Sequence, residues 1–168
     1  MKRIMIIGGP GSGKSTLARV LGDVTGLPVH HMDQIHHLSG WVMRPTPERI
    51  AMARAVEDGE SWIFEGGLSA TYATRAARAE LVVFLDLPML QRLWRVSRRI
   101  YLHHGTVRPD AAPGCPEQFS WQFIWYILST AETNRRRDAA LMARLPRDKA
   151  LTLRSQRAID TFADRLAA

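Results

Sequence analysis

Nine consecutive residues near the N-terminus, Gly8-Gly9-Pro10-Gly11-Ser12-Gly13-Lys14-Ser15-Thr16, have the types and spacing that hold a chain of phosphates. They satisfy the pattern G-x-x-x-x-G-K-[ST], set between an apolar run, Arg3-Ile4-Met5-Ile6-Ile7, and a helical stretch opening with Leu17-Ala18-Arg19. Glycines let successive backbone N–H groups turn inward around phosphate oxygens with no Cβ in the way. The helix that begins near Lys14 adds the positive end of its dipole. Lys14 can neutralise the β- and γ-phosphates, and the Ser15 hydroxyl stands where Mg²⁺ needs an oxygen. Gly9, Gly11, Ser12, Gly13, Lys14, Ser15 and Thr16 are therefore read as a site for a nucleoside triphosphate, ATP with Mg²⁺, and Ser15 as the metal ligand.

Three carboxylates, Asp33, Glu65 and Asp86, stand at the ends of apolar runs. There a carboxylate can hold Mg²⁺ through water or take a proton from an attacking hydroxyl, and Asp86 closes the most apolar run of the three. Arg92, Arg95, Arg98 and Arg99 recur at helical spacings ahead of a Gly/Pro-rich stretch, Gly105–Pro116, that carries Arg108. Phosphoryl transfer needs positive groups that arrive over the γ-phosphate and exclude water, which a hinged lid supplies. One helix cannot aim four arginines at one point, so Arg95 and Arg99 are selected, with Arg108 next. Arg135, Arg136 and Arg137 are consecutive and must fan around a helix, leaving one at most for function. His31, Asp33 and His36 match no zinc framework. Trp41, in a polar loop near Asp33, is a candidate for stacking on a ring-shaped acceptor, whereas Trp121, Phe123, Trp125 and Tyr126 are expected to pack in a core.

The elements that must position these groups alternate. Strands are expected at about 3–7, 28–32, 61–65, 81–86 and 149–154, with helices from about 14 to Gly22 or Gly26 and at about 46–57, 69–79, 87–104, 117–145 (with room for one break) and 155–166, and loops at 34–44 and 105–116. Alternation of this kind gives an α/β fold, a parallel sheet covered by helices on both faces. Ligands then collect at the C-terminal edges of the strands, which is where the phosphate loop, Asp33, Glu65 and Asp86 fall.

The chain has 168 residues, a length for one domain, and no apolar run long enough to span a membrane. Its net charge of +7 comes from 20 Arg and 3 Lys against 16 acidic residues, so the positive groups are mostly planar forks suited to phosphate. That excess fits nucleotide binding and nucleic-acid binding alike. Cys115 is the only cysteine, which rules out an internal disulfide and suits a reducing cytoplasm. An export signal is not expected, because its removal would take the phosphate loop with it.

Gly8–Thr16, Asp33, the Glu65-Gly66 pair and Leu85-Asp86-Leu87-Pro88 together resemble the adenylate kinase-like branch of P-loop kinases. His31-Met32-Asp33, Gly40-Trp41, Trp62-Ile63-Phe64-Glu65-Gly66, Trp94-Arg95 and Arg108-Pro109-Asp110 through Gly114-Cys115-Pro116-Glu117 are similar to bacterial topology modulation proteins of the FlaR-like kind. The resemblance implies a P-loop NTPase three-layer sandwich. Its five-stranded sheet would run in the order 2-3-1-4-5, in a single domain over 1–168 with a helical lid at about 95–135. It also implies that Glu65, one methylene longer than the family's Asp, lies on the metal side of the phosphate loop. Asp33 resembles the residue that shikimate- and gluconate-type kinases set against the acceptor hydroxyl. Lys14, Asp33, Glu65, Arg95, Arg99 and Arg108 are then the catalytic set of a cytoplasmic ATP-dependent kinase acting on a small acceptor, a nucleotide or nucleoside first. The competing reading is a nucleotide-dependent DNA-binding or topology-modulating protein, for which no helix-turn-helix, zinc-finger or RNA-recognition pattern is found.

Overall fold

Along strand β1 (Arg3–Gly8) side chains alternate between the two faces of a sheet. Met5 and Ile7 join one core with Trp62, Phe64, Tyr72, Val82, Phe84 and Met142. Ile4 and Ile6 join another with Leu17, Leu21, Ile63, Val83, Leu85 and Ile159. Two cores on two faces of one sheet make three layers. A computed structural model, describing residues 1–167, arranges β1 with β2 (Val29–His31), β3 (Trp62–Glu65), β4 (Leu81–Leu85) and β5 (Ala150–Leu153) in the parallel order 2-3-1-4-5. The expected topology is found. Central strands buried on both faces explain why β3 and β4 read as almost continuous apolar runs.

Helices α1 (Lys14–Thr25) and α7 (Gln156–Ala167) cover the second core. Helices α3 (Thr46–Glu57), α4 (Tyr72–Arg78) and the C-terminal part of α6 (Trp121–Ala143) cover the first. Between β2 and α3, where a loop was expected, lie a five-residue helix α2 (Met32–His36) and a two-residue hairpin pairing His37–Leu38 with Val42–Met43. Asp33 therefore stands in the first turn of α2, not at a strand terminus.

Helix α5 (Met89–His103) meets the N-terminal part of α6 through Leu93, Val96, Ile100, Phe123, Ile124 and Ile127, a third small core that stands apart from the sheet. Helix α6 is continuous and is opened by Ser120, whose Oγ accepts from the Phe123 N–H at 3.2 Å. The aromatic residues here correct the sequence expectation. Trp121, Trp125 and Tyr126 are 76%, 72% and 48% exposed. The cause is geometric: the face of this half of α6 that is covered is the one centred on Ile127 that meets α5, and Trp121, Trp125 and Tyr126 lie off it.

Candidate active site

The phosphate loop is shaped by glycine at positions no other residue tolerates. Gly8, Gly11 and Gly13 have φ of +144°, +76° and +94°, and a Cβ on Gly9 would run into the Arg92 guanidinium. Helix α1 starts from Gly13 with no side-chain cap and no acidic residue in its first turn, so its leading N–H groups face the crevice unopposed. Lys14 Nζ folds back to donate to the Gly9 carbonyl at 3.2 Å, and Ser12 Oγ is fully buried without a partner. An uncapped helix, an orphaned hydroxyl and a lysine lodged on its own loop fit a triphosphate.

Glu65 ends β3 at 3% exposure, and its Oε1 accepts from Ser15 Oγ at 2.9 Å and meets His31 Nδ1 at 2.9 Å. Strand β2 supplies His31, β3 supplies Glu65 and α1 supplies Ser15, so adjacent sheet edges bring the three together. Behind Glu65, the buried Arg75 donates to the Gly66 carbonyl at 2.9 Å and lies over the Phe64 ring at 4.6 Å. Burial lowers its guanidinium to about 10, an effect opposed by the charges of Tyr72, Glu57 and Glu65. Arg75 thereby fixes the turn that follows Glu65.

Asp86 has a different role. Its carboxylate takes two hydrogen bonds from Arg135, Nε at 2.7 Å and Nη2 at 3.1 Å, and one from Arg154 at 3.4 Å, tying α6 and the end of β5 to β4. The Arg135 hydrogen bond leads the causes that hold its carboxyl below the ordinary value. A depressed folded-state pKa adds stability above the unfolded carboxylate's pKa of about 3.9, and that stability is lost as pH falls through the folded-state value. Asp86→Asn should therefore flatten the loss of thermal stability as pH falls from about 5 through the folded-state value. Thermal unfolding across that range checks it, and an unchanged acid slope would contradict it. The neighbouring arginines fan out as three consecutive helical residues must: Arg136 pairs with Glu132, and Arg137 with Asp138.

Arg92 lies against Gly9, 6% exposed, and Arg95 Nη1 comes 3.7 Å from where a Cβ on Gly13 would stand. Arg95 also donates to Gln156 Oε1 at 2.7 Å. Arg99 and Arg108 have Glu117 between them, and Arg108 also pairs with Asp110. Asp110 is buried beside the Ser15 hydroxyl; burial would raise its carboxyl, but Arg108 and hydrogen bonding outweigh that and hold it low. Asp33 is half-buried, contributes to the electrostatic field at Arg99, and makes no side-chain hydrogen bond among the described residues. Of the sequence set, Ser15 and Glu65 meet, Lys14 lies on its own loop, Arg99 and Arg108 share Glu117, and Arg95 lies near Gly13, while Asp33 joins none of these contacts. Four residues enter that sequence reasoning left out of the set: Arg92, His31, Asp110 and Glu117. The motifs around them were visible, but nothing in spacing separates a buried carboxylate from a solvated one.

The 105–116 segment is stitched to the loop after β2. Gly40 N donates to Gly114 O at 2.8 Å, Trp41 Nε1 to Pro116 O at 2.8 Å, Gln34 Nε2 to Pro109 O at 3.0 Å, and the buried Cys115 thiol to Leu38 O at 3.2 Å. Trp41 has a φ of +62°, uncommon for a bulky residue, and its ring meets His37 edge-on at 5.1 Å. Its polar edge is spent on the seam rather than left for an acceptor. Gly114, at φ +73°, faces Ser39 where a Cβ would collide. Gly114→Ala should lower stability by ~1–3 kcal/mol and speed proteolytic cutting within 105–116. Wild-type cutting rates and melting temperature would contradict the seam.

No family model matches the chain. A UPF0200 protein of Aeropyrum pernix is 30% identical over an alignment of 119 residues that covers 57% of this chain. The chain spans 64% of that relative's length. Among solved structures, shikimate kinase from Bacteroides thetaiotaomicron aligns with a TM-score of 0.61 at 14% identity, covering 98% of this chain and 96% of that one. Shikimate kinase from Acinetobacter baumannii, in complex with shikimate, aligns at 0.55 and 19% identity over 99% and 90%. A gluconokinase from Sinorhizobium meliloti aligns at 0.54 and 16% identity over 99% and 93%. The chain shares the fold of these solved kinases. No helix among the described residues is long and apolar enough to cross a membrane.

Proposed function

We propose that the protein is an ATP-dependent P-loop kinase that moves the γ-phosphoryl of Mg-ATP to a hydroxyl or phosphate of a small acceptor, a nucleotide or nucleoside first among the classes. What supports this most is the meeting of Ser15 and Glu65 at 2.9 Å at the mouth of a phosphate loop whose helix is uncapped. The solved kinases that share the fold act, by their names, on shikimate and gluconate, which extends the acceptor classes worth testing to polyhydroxy acids. The motif resemblance to FlaR-like topology modulation proteins belongs to the same proposal. A cytoplasmic setting follows from a substrate pool of ATP and from a lone, buried thiol.

In this mechanism the loop amides, Lys14 and the N-terminus of α1 bind the donor's β- and γ-phosphates. Ser15 and Glu65 would hold Mg²⁺, which supplies charge neutralisation between those phosphates. His31 orients Glu65. Asp33 takes the proton of the acceptor hydroxyl as its oxygen bonds to the γ-phosphorus, while the bond from that phosphorus to the bridging oxygen breaks and ADP leaves. Arg95, Arg99 and Arg108 stabilise the charge carried on the transferred group. Residues at about 95–135 serve as the lid that closes over it. An assay of ADP formation with Mg-ATP across nucleosides, nucleoside monophosphates, sugars and polyhydroxy acids tests the proposal. An acceptor that raises ADP formation well above the rate with water is expected; a rate raised only by DNA would favour the topology-modulating alternative.

A further inference from the structure

Two of the arginines invoked above come from different elements, and a single buried side chain joins them. Glu117 is 4% exposed. Its Oε2 lies 2.7 Å from Arg108 Nε and 3.2 Å from Arg99 Nε, and its Oε1 accepts from Arg99 Nη2 at 3.3 Å. Its backbone closes the base of the segment as well: Gly105 N donates to Glu117 O, and Glu117 N donates to Thr106 O, both at 2.8 Å. The cluster is completed by Asp110 on Arg108. Two guanidiniums set against one another repel, and both are partly desolvated; a carboxylate between them removes the repulsion and fixes both planes. Each arginine is left with a terminal nitrogen, Arg99 Nη1 and Arg108 Nη2, that has no protein partner among the described residues. Asp110, paired with Arg108, has the Ser15 hydroxyl among the groups that hold its carboxyl low, which puts the cluster on the Ser15 side of the phosphate loop.

Resting on the kinase reading, we infer that Glu117 is a positioning residue: it binds no nucleotide itself but holds the free edges of Arg99 and Arg108 toward the γ-phosphate. Its action would appear only where a γ-phosphate is present. A structural role alone would weaken every nucleotide equally.

The test is calorimetric titration of wild type, Glu117→Gln and Glu117→Asp with Mg-ADP and with the magnesium complex of the imido analogue of ATP. The readout is the ratio of the two dissociation constants, with thermal unfolding confirming that each variant is folded. Mg-ADP affinity is expected to stay near wild type in both variants. The preference for the triphosphate analogue should fall roughly tenfold in Glu117→Gln, which loses the charge. It should fall by roughly threefold in Glu117→Asp, which keeps the charge but is too short to reach both Nε atoms. Glu117→Asp retains the ion pairing that the fold needs, so it carries the test if the Gln variant unfolds. A folded variant with the wild-type ratio, or one weakened equally for both nucleotides, overturns the inference while leaving the kinase reading intact. Wild-type protein that binds neither nucleotide overturns both.

Discussion

Lys14→Ala is expected to reduce phosphoryl transfer by roughly 10²–10³-fold and to weaken Mg-ATP binding, with little effect on the melting temperature. The lysine is half-exposed at the start of α1, and its one hydrogen bond, to Gly9 O at 3.2 Å, lies within its own loop. Removing it opens no cavity and leaves no buried charge alone, so the cost falls on the ligand and not on the fold. The backbone amides and the α1 dipole remain, which is why binding is weakened and not abolished. Calorimetry and a transfer assay on the folded variant measure the two effects separately. Wild-type affinity for Mg-ATP would remove the phosphate loop from the mechanism.

Asp33→Asn should leave Mg-ATP affinity near wild type while lowering turnover by roughly 10²–10⁴, the range for loss of a general base. Asp33 stands in the first turn of α2 and makes no side-chain hydrogen bond among the described residues, and the amide keeps its shape but cannot take the proton. Were Asp33 only a carboxylate favouring the helix N-terminus, the variant would lose about 0.3–1 kcal/mol of stability with turnover intact. Were it a metal ligand, affinity and rate would fall together. Steady-state kinetics with a nucleotide titration distinguish the three outcomes, and normal transfer by a stable variant would leave Glu65 as the remaining carboxylate.

Which features the sequence revealed follows from how local they are. The phosphate loop is one contiguous stretch whose glycine positions are dictated by backbone geometry, and three of the glycines there do adopt positive φ. The central strands were likewise legible, since continuous apolar runs mark strands buried on both faces, whereas the order of the sheet came from the resemblance to P-loop kinases. What escaped depends on contacts between distant segments. Asp86 and Glu65 look alike in sequence, each a carboxylate after an apolar run. Only the fold shows that Arg135 and Arg154 occupy the first, while Ser15 and His31 meet the second. Glu117 lies 18 residues beyond Arg99 and 9 beyond Arg108, so no helical or strand period links them. The aromatic residues of α6 misled for the opposite reason. Their hydrophobicity argued for burial, but the N-terminal half of α6 packs on α5 through Phe123, Ile124 and Ile127, and Trp121 and Trp125 remain 76% and 72% exposed.

The fate of the γ-phosphorus tests the central claim most directly. Wild-type protein and Lys14→Ala would each be incubated with Mg²⁺ and ATP labelled in the γ-phosphoryl group, together with the acceptor panel, and the products separated. Label should pass from ATP to an organic acceptor in the wild type, with that transfer strongly reduced in the variant. Label that stays in ATP with every acceptor, or emerges only as inorganic phosphate, would contradict a kinase.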